Sequence, residues 1–152
     1  MKFSWRTSLI LWILVVVVAT TLPWSGLQGL QGHPHWGNVR WIPFYLESLS
    51  LRFILDIVVN LLLFVPFGFL YVRSQVTIPS AMFLRICLLA TLLSVSVELI
   101  QVFSHTRLPS MTDICTNVIG AAIGAVIAKR SIRKDVMQVP MKDHERRQVA
   151  RQ

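Results

Sequence analysis

Charge is the first thing this chain is short of. Asp, Glu, Lys and Arg make up 14% of its 152 residues, and only 7 of them are acidic. Set against 54% hydrophobic residues and a mean hydropathy of +0.60, this excludes an ordinary soluble domain and points to a small polytopic membrane protein. Cysteine is equally scarce: Cys87 and Cys115 both fall inside apolar runs, with neither zinc-site spacing nor the look of a secreted disulfide framework. His33 and His35 form an H-P-H pair that supplies too few ligands for a metal, so no metal site and no cofactor is expected. Ser94, Ser96, Ser104 and Ser110 have no well-placed base beyond His105, which argues against nucleophilic catalysis. No internal repeat is evident.

What the chain does have is four apolar runs. Their lengths and flanks predict an all-α membrane domain over residues 1–128, a four-helix antiparallel bundle with helices at about 8–24, 53–72, 82–103 and 110–128. The first run follows Lys2 and Arg6 and ends at a poor cleavage site, so it reads as a retained helix. Between it and the second run lies a loop rich in Gly, His, Pro and aromatics, whose Trp36, Trp41, Phe44 and Tyr45 suit the headgroup region. The second run holds Pro66 and Gly68, read as a packing kink, and the fourth holds Gly120 and Gly124, read as a stripe for close helix contact. Residues 129–152 read as a loosely ordered basic cytoplasmic tail.

The 15 Lys and Arg residues give a net charge of +8 and gather at the N-terminus, around Arg73 and Arg85, and after Lys129. That is the pattern of cytoplasmic loops, and it places both termini inside. A nucleic-acid binder would need those cations on one solvated face.

The few polar groups within the apolar runs are the candidates for function, because ionisable side chains in a bilayer are expensive. Glu98 and Gln101 share a helix face with Ser94; Asp113 and Asn117 line a second; Asp56 and Asn60 line a third. Arg107, in the short link SHTRLPS, is the obvious counter-charge for the carboxylates. At 1.5 Å per residue, Glu98 lies roughly 8 Å and Asn60 roughly 10 Å from the outer helix ends. The expectation is a polar pocket in the outer half of the membrane.

These residues resemble the VanZ-like family of small bacterial membrane proteins. The likeness is carried by VRWIPFYLES, NLLLFVPFGFL from Asn60 to Leu70, SVSVELIQVF, Arg107 and DICTNVIGAAIG from Asp113 to Gly124, over about residues 38–126. The resemblance implies a multi-pass protein of the bacterial inner (cytoplasmic) membrane with a polar site at Asn60, Glu98, Gln101, Arg107, Asp113 and Asn117. The family takes its name from a protein associated with low-level resistance to the lipid-tailed glycopeptide teicoplanin, and many members lack an assigned activity.

The leading expectation is a non-enzymatic envelope protein whose partner is a membrane lipid or lipid-tailed molecule, with Arg107 meeting an anionic head group. A second reading is an enzyme on a lipid-linked substrate, using Glu98 and Asp113 for general acid–base work. A third is an ion-coupled carrier. A fourth is a purely structural ion-pair network of Glu98, Arg107 and Asp113. The sequence leaves the oligomeric state open.

Overall fold

The computed structural model describes residues 4–21, 36–45, 50–103 and 108–137. Four helices carry the fold: α1 (Trp5–Thr21), α2 (Leu51–Ser74), α3 (Met82–Gln101) and α4 (Met111–Met137), with a 3-10 turn at Trp36–Asn38 and no strand among the described residues. Three of the four, α2, α3 and α4, are long and apolar enough to cross a membrane; α1 is apolar but shorter, at 17 residues. All-α architecture follows from the composition, since a spanning helix satisfies its own backbone groups where no water can.

The bundle is built outward from the contact between α2 and α4. A side chain on Gly68 would run into the Ala121 carbonyl, and one on Gly124 into the Val65 carbonyl with the Phe69 amide 2.8 Å away. One on Gly120 would sit 2.7 Å from the Leu61 carbonyl. Three glycines thus let two backbones touch, which is how small residues bring membrane helices together. Pro66 lies within α2 and offers no N–H to the Leu62 carbonyl, yet the helix continues through it. One residue on, the Leu63 carbonyl accepts a 2.8 Å hydrogen bond from Trp12 Nε1, fastening α1 to α2. Helix α3 packs on α4, where Asn117 Nδ2 donates to Ser94 Oγ at 2.8 Å. Val16, Phe64, Phe67, Ile86, Ala90 and Ala121 close the core between them.

Helix α2 runs two residues further at each end than expected, α3 ends at Gln101 and α4 starts at Met111; two other boundaries differ for identifiable reasons. Helix α1 starts at Trp5 instead of residue 8, because Trp5 has partners: its ring meets Phe69 edge-on at 6.3 Å, and the Arg73 guanidinium lies 4.9 Å above it. Helix α4 does not stop at residue 128 but runs to Met137, so the first part of the expected loose tail is helical. Ala128 is fully buried, Ile132 packs on the core, and Asp135 pairs with Arg73 of α2 at 2.8 Å. The remainder of the tail, from residue 138, lies outside the described residues.

The glycine contact makes a direct prediction. In Gly124→Ala the new methyl meets backbone that cannot rotate away, an overpacking that costs about 1–3 kcal/mol. The melting midpoint in detergent is expected to fall by roughly 5 °C. Gly37→Ala, with nothing within 4 Å, serves as the neutral control. Identical melting of the two variants would mean that the α2–α4 contact yields freely.

Candidate functional site

The site is assembled around the first turn of α4. A helix begins with backbone N–H groups that have no intrahelical partner, and here that beginning is buried: Ser110 is 9% and Thr112 4% exposed. Each donor is met from a different direction. Glu98 Oε2, reaching across from α3, accepts from the Ser110 amide at 2.8 Å. The Arg40 carbonyl accepts from the Met111 amide at 3.0 Å, and Ser110 Oγ from the Thr112 amide at 3.2 Å. The Asp113 amide donates to the Ser110 carbonyl at 3.1 Å.

The segment that delivers Arg40 is itself tied down. Its amide donates to the Pro109 carbonyl at 2.9 Å, making a short parallel bridge between Arg40 and Ser110. Further along, the Phe44 amide donates to Thr112 Oγ1 at 2.9 Å, and Phe44 adopts φ = 56°. That left-handed conformation is strained for a non-glycine residue and persists where surroundings impose it. The described stretch 40–44 ahead of α2 is therefore a docked strap, bonded at Arg40 and Phe44 to the start of α4.

At the far side, Gln101 Nε2 donates to the Thr20 carbonyl at 3.1 Å, satisfying one of the orphan carbonyls at the end of α1. Thr20 Oγ1 turns back to the Val16 carbonyl at 2.7 Å. Helices α1, α3 and α4 thus contribute to one rim, and α2 lines the space it encloses.

Within that rim lies a cavity of about 770 Å³. Asn60 of α2, Glu98 and Gln101 of α3, and Asp113 and Asn117 of α4 line it. Apolar walls come from Ile57, Val59, Leu63 and Val97, and the strap closes one side with Trp41 and Tyr45. Glu98, Gln101 and Asn117 are buried; Asn60 and Asp113 are partly exposed to the cavity. Asn117 spends one amide atom on Ser94, and its Oδ1 is buried with no partner among the described residues. The Ser94 hydroxyl can donate or accept, so turning the amide over would leave the other atom unpaired instead.

The five candidates from the membrane helices are brought to one cavity, and Arg107, like His105 and the pair His33 and His35, lies outside the described residues. Sequence reasoning did not include Arg40, Arg52 or Asp56 in the site, although all three border the cavity. For Asp56 the signal was there, since it shares a helix face with Asn60 four residues on. For Arg40 it was not: its contribution to the helix start is a main-chain carbonyl. Among the described residues no three His, Cys, Asp or Glu side chains converge as metal ligands. Cys87 and Cys115 are free and half-buried, on different helices.

Spanning-length helices around a polar cavity at one end of the bundle define a multi-pass helical membrane protein. The sequence profile of VanZ/LLP1 matches residues 7–133, and the chain belongs to that family. The match is wider than the stretch of 38–126 that carried the resemblance, taking in nearly all of α1 and the first part of the extension of α4. No curated protein and no solved structure shows significant similarity to the chain.

The role of Glu98 at the α4 start can be tested on its own. Glu98→Ala strands a buried amide and is expected to cost about 1–3 kcal/mol. Hydrogen exchange at the Ser110 and Met111 amides should accelerate by at least roughly five-fold. Glu98→Gln, which keeps an acceptor oxygen, should lose much less. Unaltered exchange in Glu98→Ala would show that the carboxylate is dispensable to the helix start.

Proposed function

We propose that this protein is a non-enzymatic component of the bacterial cell envelope, seated in the cytoplasmic membrane, whose cavity takes the head group of an outer-leaflet lipid or lipid-tailed molecule. The observation that carries this reading is the cavity itself: about 770 Å³, with amides and carboxylates on one part of its lining and aliphatic side chains on the rest. Such a mixture suits a molecule that is polar at one end and apolar at the other. The outward orientation is supported by charge. Arg6, Arg73, Arg85, Lys129, Arg130, Arg133 and Lys134 lie at the end of the bundle away from the cavity, as cytoplasmic ends do.

Two competing readings are less well supported. For a carrier, the cavity would have to continue through the bundle, yet one turn below its lining residues Thr20 and Asn117 sit the fully buried Val16 and Ala121, with the fully buried Ser94 and Ala90 of α3 in the same core. For general acid–base chemistry, Glu98 would need a free carboxylate, and one of its oxygens is bound to the Ser110 amide. That same bond favours a structural duty for Glu98 alongside ligand binding. A family member that engages lipid-tailed molecules at the outer leaflet also accounts in physical terms for a link to teicoplanin resistance, since the antibiotic itself has a lipid tail.

The test is native mass spectrometry of protein extracted in its own lipids, wild type beside Asn60→Leu. Asn60 lines the cavity and replacing its amide removes hydrogen bonds to the ligand, worth roughly five-fold in occupancy. A defined lipid adduct on wild type that falls by that factor on an equally stable variant supports the proposal. An identical adduct pattern on both would refute it.

A further inference from the structure

At the end opposite the cavity the same chain presents a second lipid-facing arrangement, and we propose that it is a seat for an anionic phospholipid, with Lys129 holding the phosphate. A cleft of about 190 Å³ opens there between the α2–α3 turn and α4. Its walls are Val72, Met82, Phe83 and Ala125, and its rim carries Ser80 and Lys129. Ser80 and Lys129 are both exposed, so a hydroxyl donor and an ammonium stand over an apolar slot.

Position in the bilayer matches the chemistry. Lys129 directly follows the fully buried Ala128, where the apolar part of α4 ends, and so stands at headgroup level. Below it, the exposed α3 side chains Phe83, Leu84 and Leu88 offer an apolar track for acyl chains.

Charge selects the head group. Arg85, Arg130, Arg133 and Lys134 are exposed around the same end. The one described acid there, Asp135, is paired with Arg73 at 2.8 Å, and that pair also holds the extension of α4 against the bundle. The extension therefore presents its cations from a fixed helix. A zwitterionic lipid gains nothing from this field, whereas each Lys or Arg near an anionic surface contributes roughly a five-fold gain in binding. This seat lies apart from the cavity, and the inference does not depend on what the cavity binds.

The experiment uses the full chain in detergent with added phosphatidylglycerol or phosphatidylcholine, counting bound lipids by native mass spectrometry and following thermal melting. Wild type is expected to retain phosphatidylglycerol in preference to phosphatidylcholine and to melt higher with it. Lys129→Gln should lose roughly five-fold of that preference, and Lys129→Arg should keep it. Because Lys129 is exposed, both variants should melt like wild type without added lipid. Equal retention of the two lipids by wild type, or a preference undiminished in Lys129→Gln, would overturn the proposal. So would inorganic phosphate raising the melting midpoint as far as phosphatidylglycerol, since the site would then read a free anion.

Discussion

The buried start of α4 is the constraint on which the rest of this structure depends. Four backbone amides emerge at a largely buried helix start, with Ser110 and Thr112 buried and Met111 and Asp113 partly so, and an unpaired buried amide costs about 1–3 kcal/mol. The solution draws on three parts of the chain: a carboxylate from α3, a carbonyl from the strap before α2, and a hydroxyl and a carbonyl from Ser110 itself. Once those bonds are made, α3, α4 and the strap have no freedom to move separately. The Glu98 carboxyl group also faces the N-terminal end of α4, the end of a helix dipole that favours an acidic group. A side chain that looks catalytic in the sequence is thus first a cap.

The cavity follows from a gradient of side-chain size along two helices. On the facing sides of α2 and α4, glycine occupies Gly68, Gly120 and Gly124, and the backbones touch. Toward the α4 N-terminus the corresponding face carries Asn117 and Asp113, and α2 answers with Asn60 and Asp56. Glycine at one end and long polar groups at the other make a wedge that opens toward the strap. Interhelical polar contacts of this kind contribute modestly in a membrane, so the glycine contact bears most of the packing while the polar groups shape the opening.

Much of this was legible in the chain because period and composition report it. The apolar runs located four helices, and three- and four-residue spacings put Glu98 with Gln101 and Asp113 with Asn117 on common faces. What escaped were features set by partners distant in sequence. The extension of α4 rests on Asp135 meeting Arg73, 62 residues earlier, and on Ile132 reaching the core. The early start of α1 rests on Trp5 meeting Phe69 and Arg73. The strap is fixed by main-chain bonds from Arg40 and Phe44 to α4, which side-chain patterns cannot announce. Even the positive φ of Phe44 has no local signature, since glycine or asparagine would be the usual occupant.

The way α4 is capped also bears on the occupant proposed for the cavity. A helix N-terminus ordinarily makes an anion site, because its free amides and its dipole both favour negative charge. Here the amides of Ser110, Met111, Thr112 and Asp113 are all engaged within the protein, so the helix start has no donors left to offer a phosphate or carboxylate. Among the described residues that line the cavity, Arg40 and Arg52 are the cations, and both are exposed at its mouth. Deeper in, the described lining is amide and carboxylate: Asn60, Gln101, Asn117, Glu98 and Asp113. For the proposed lipid head group, the described lining offers cations at the mouth and hydrogen-bonding amides deeper in.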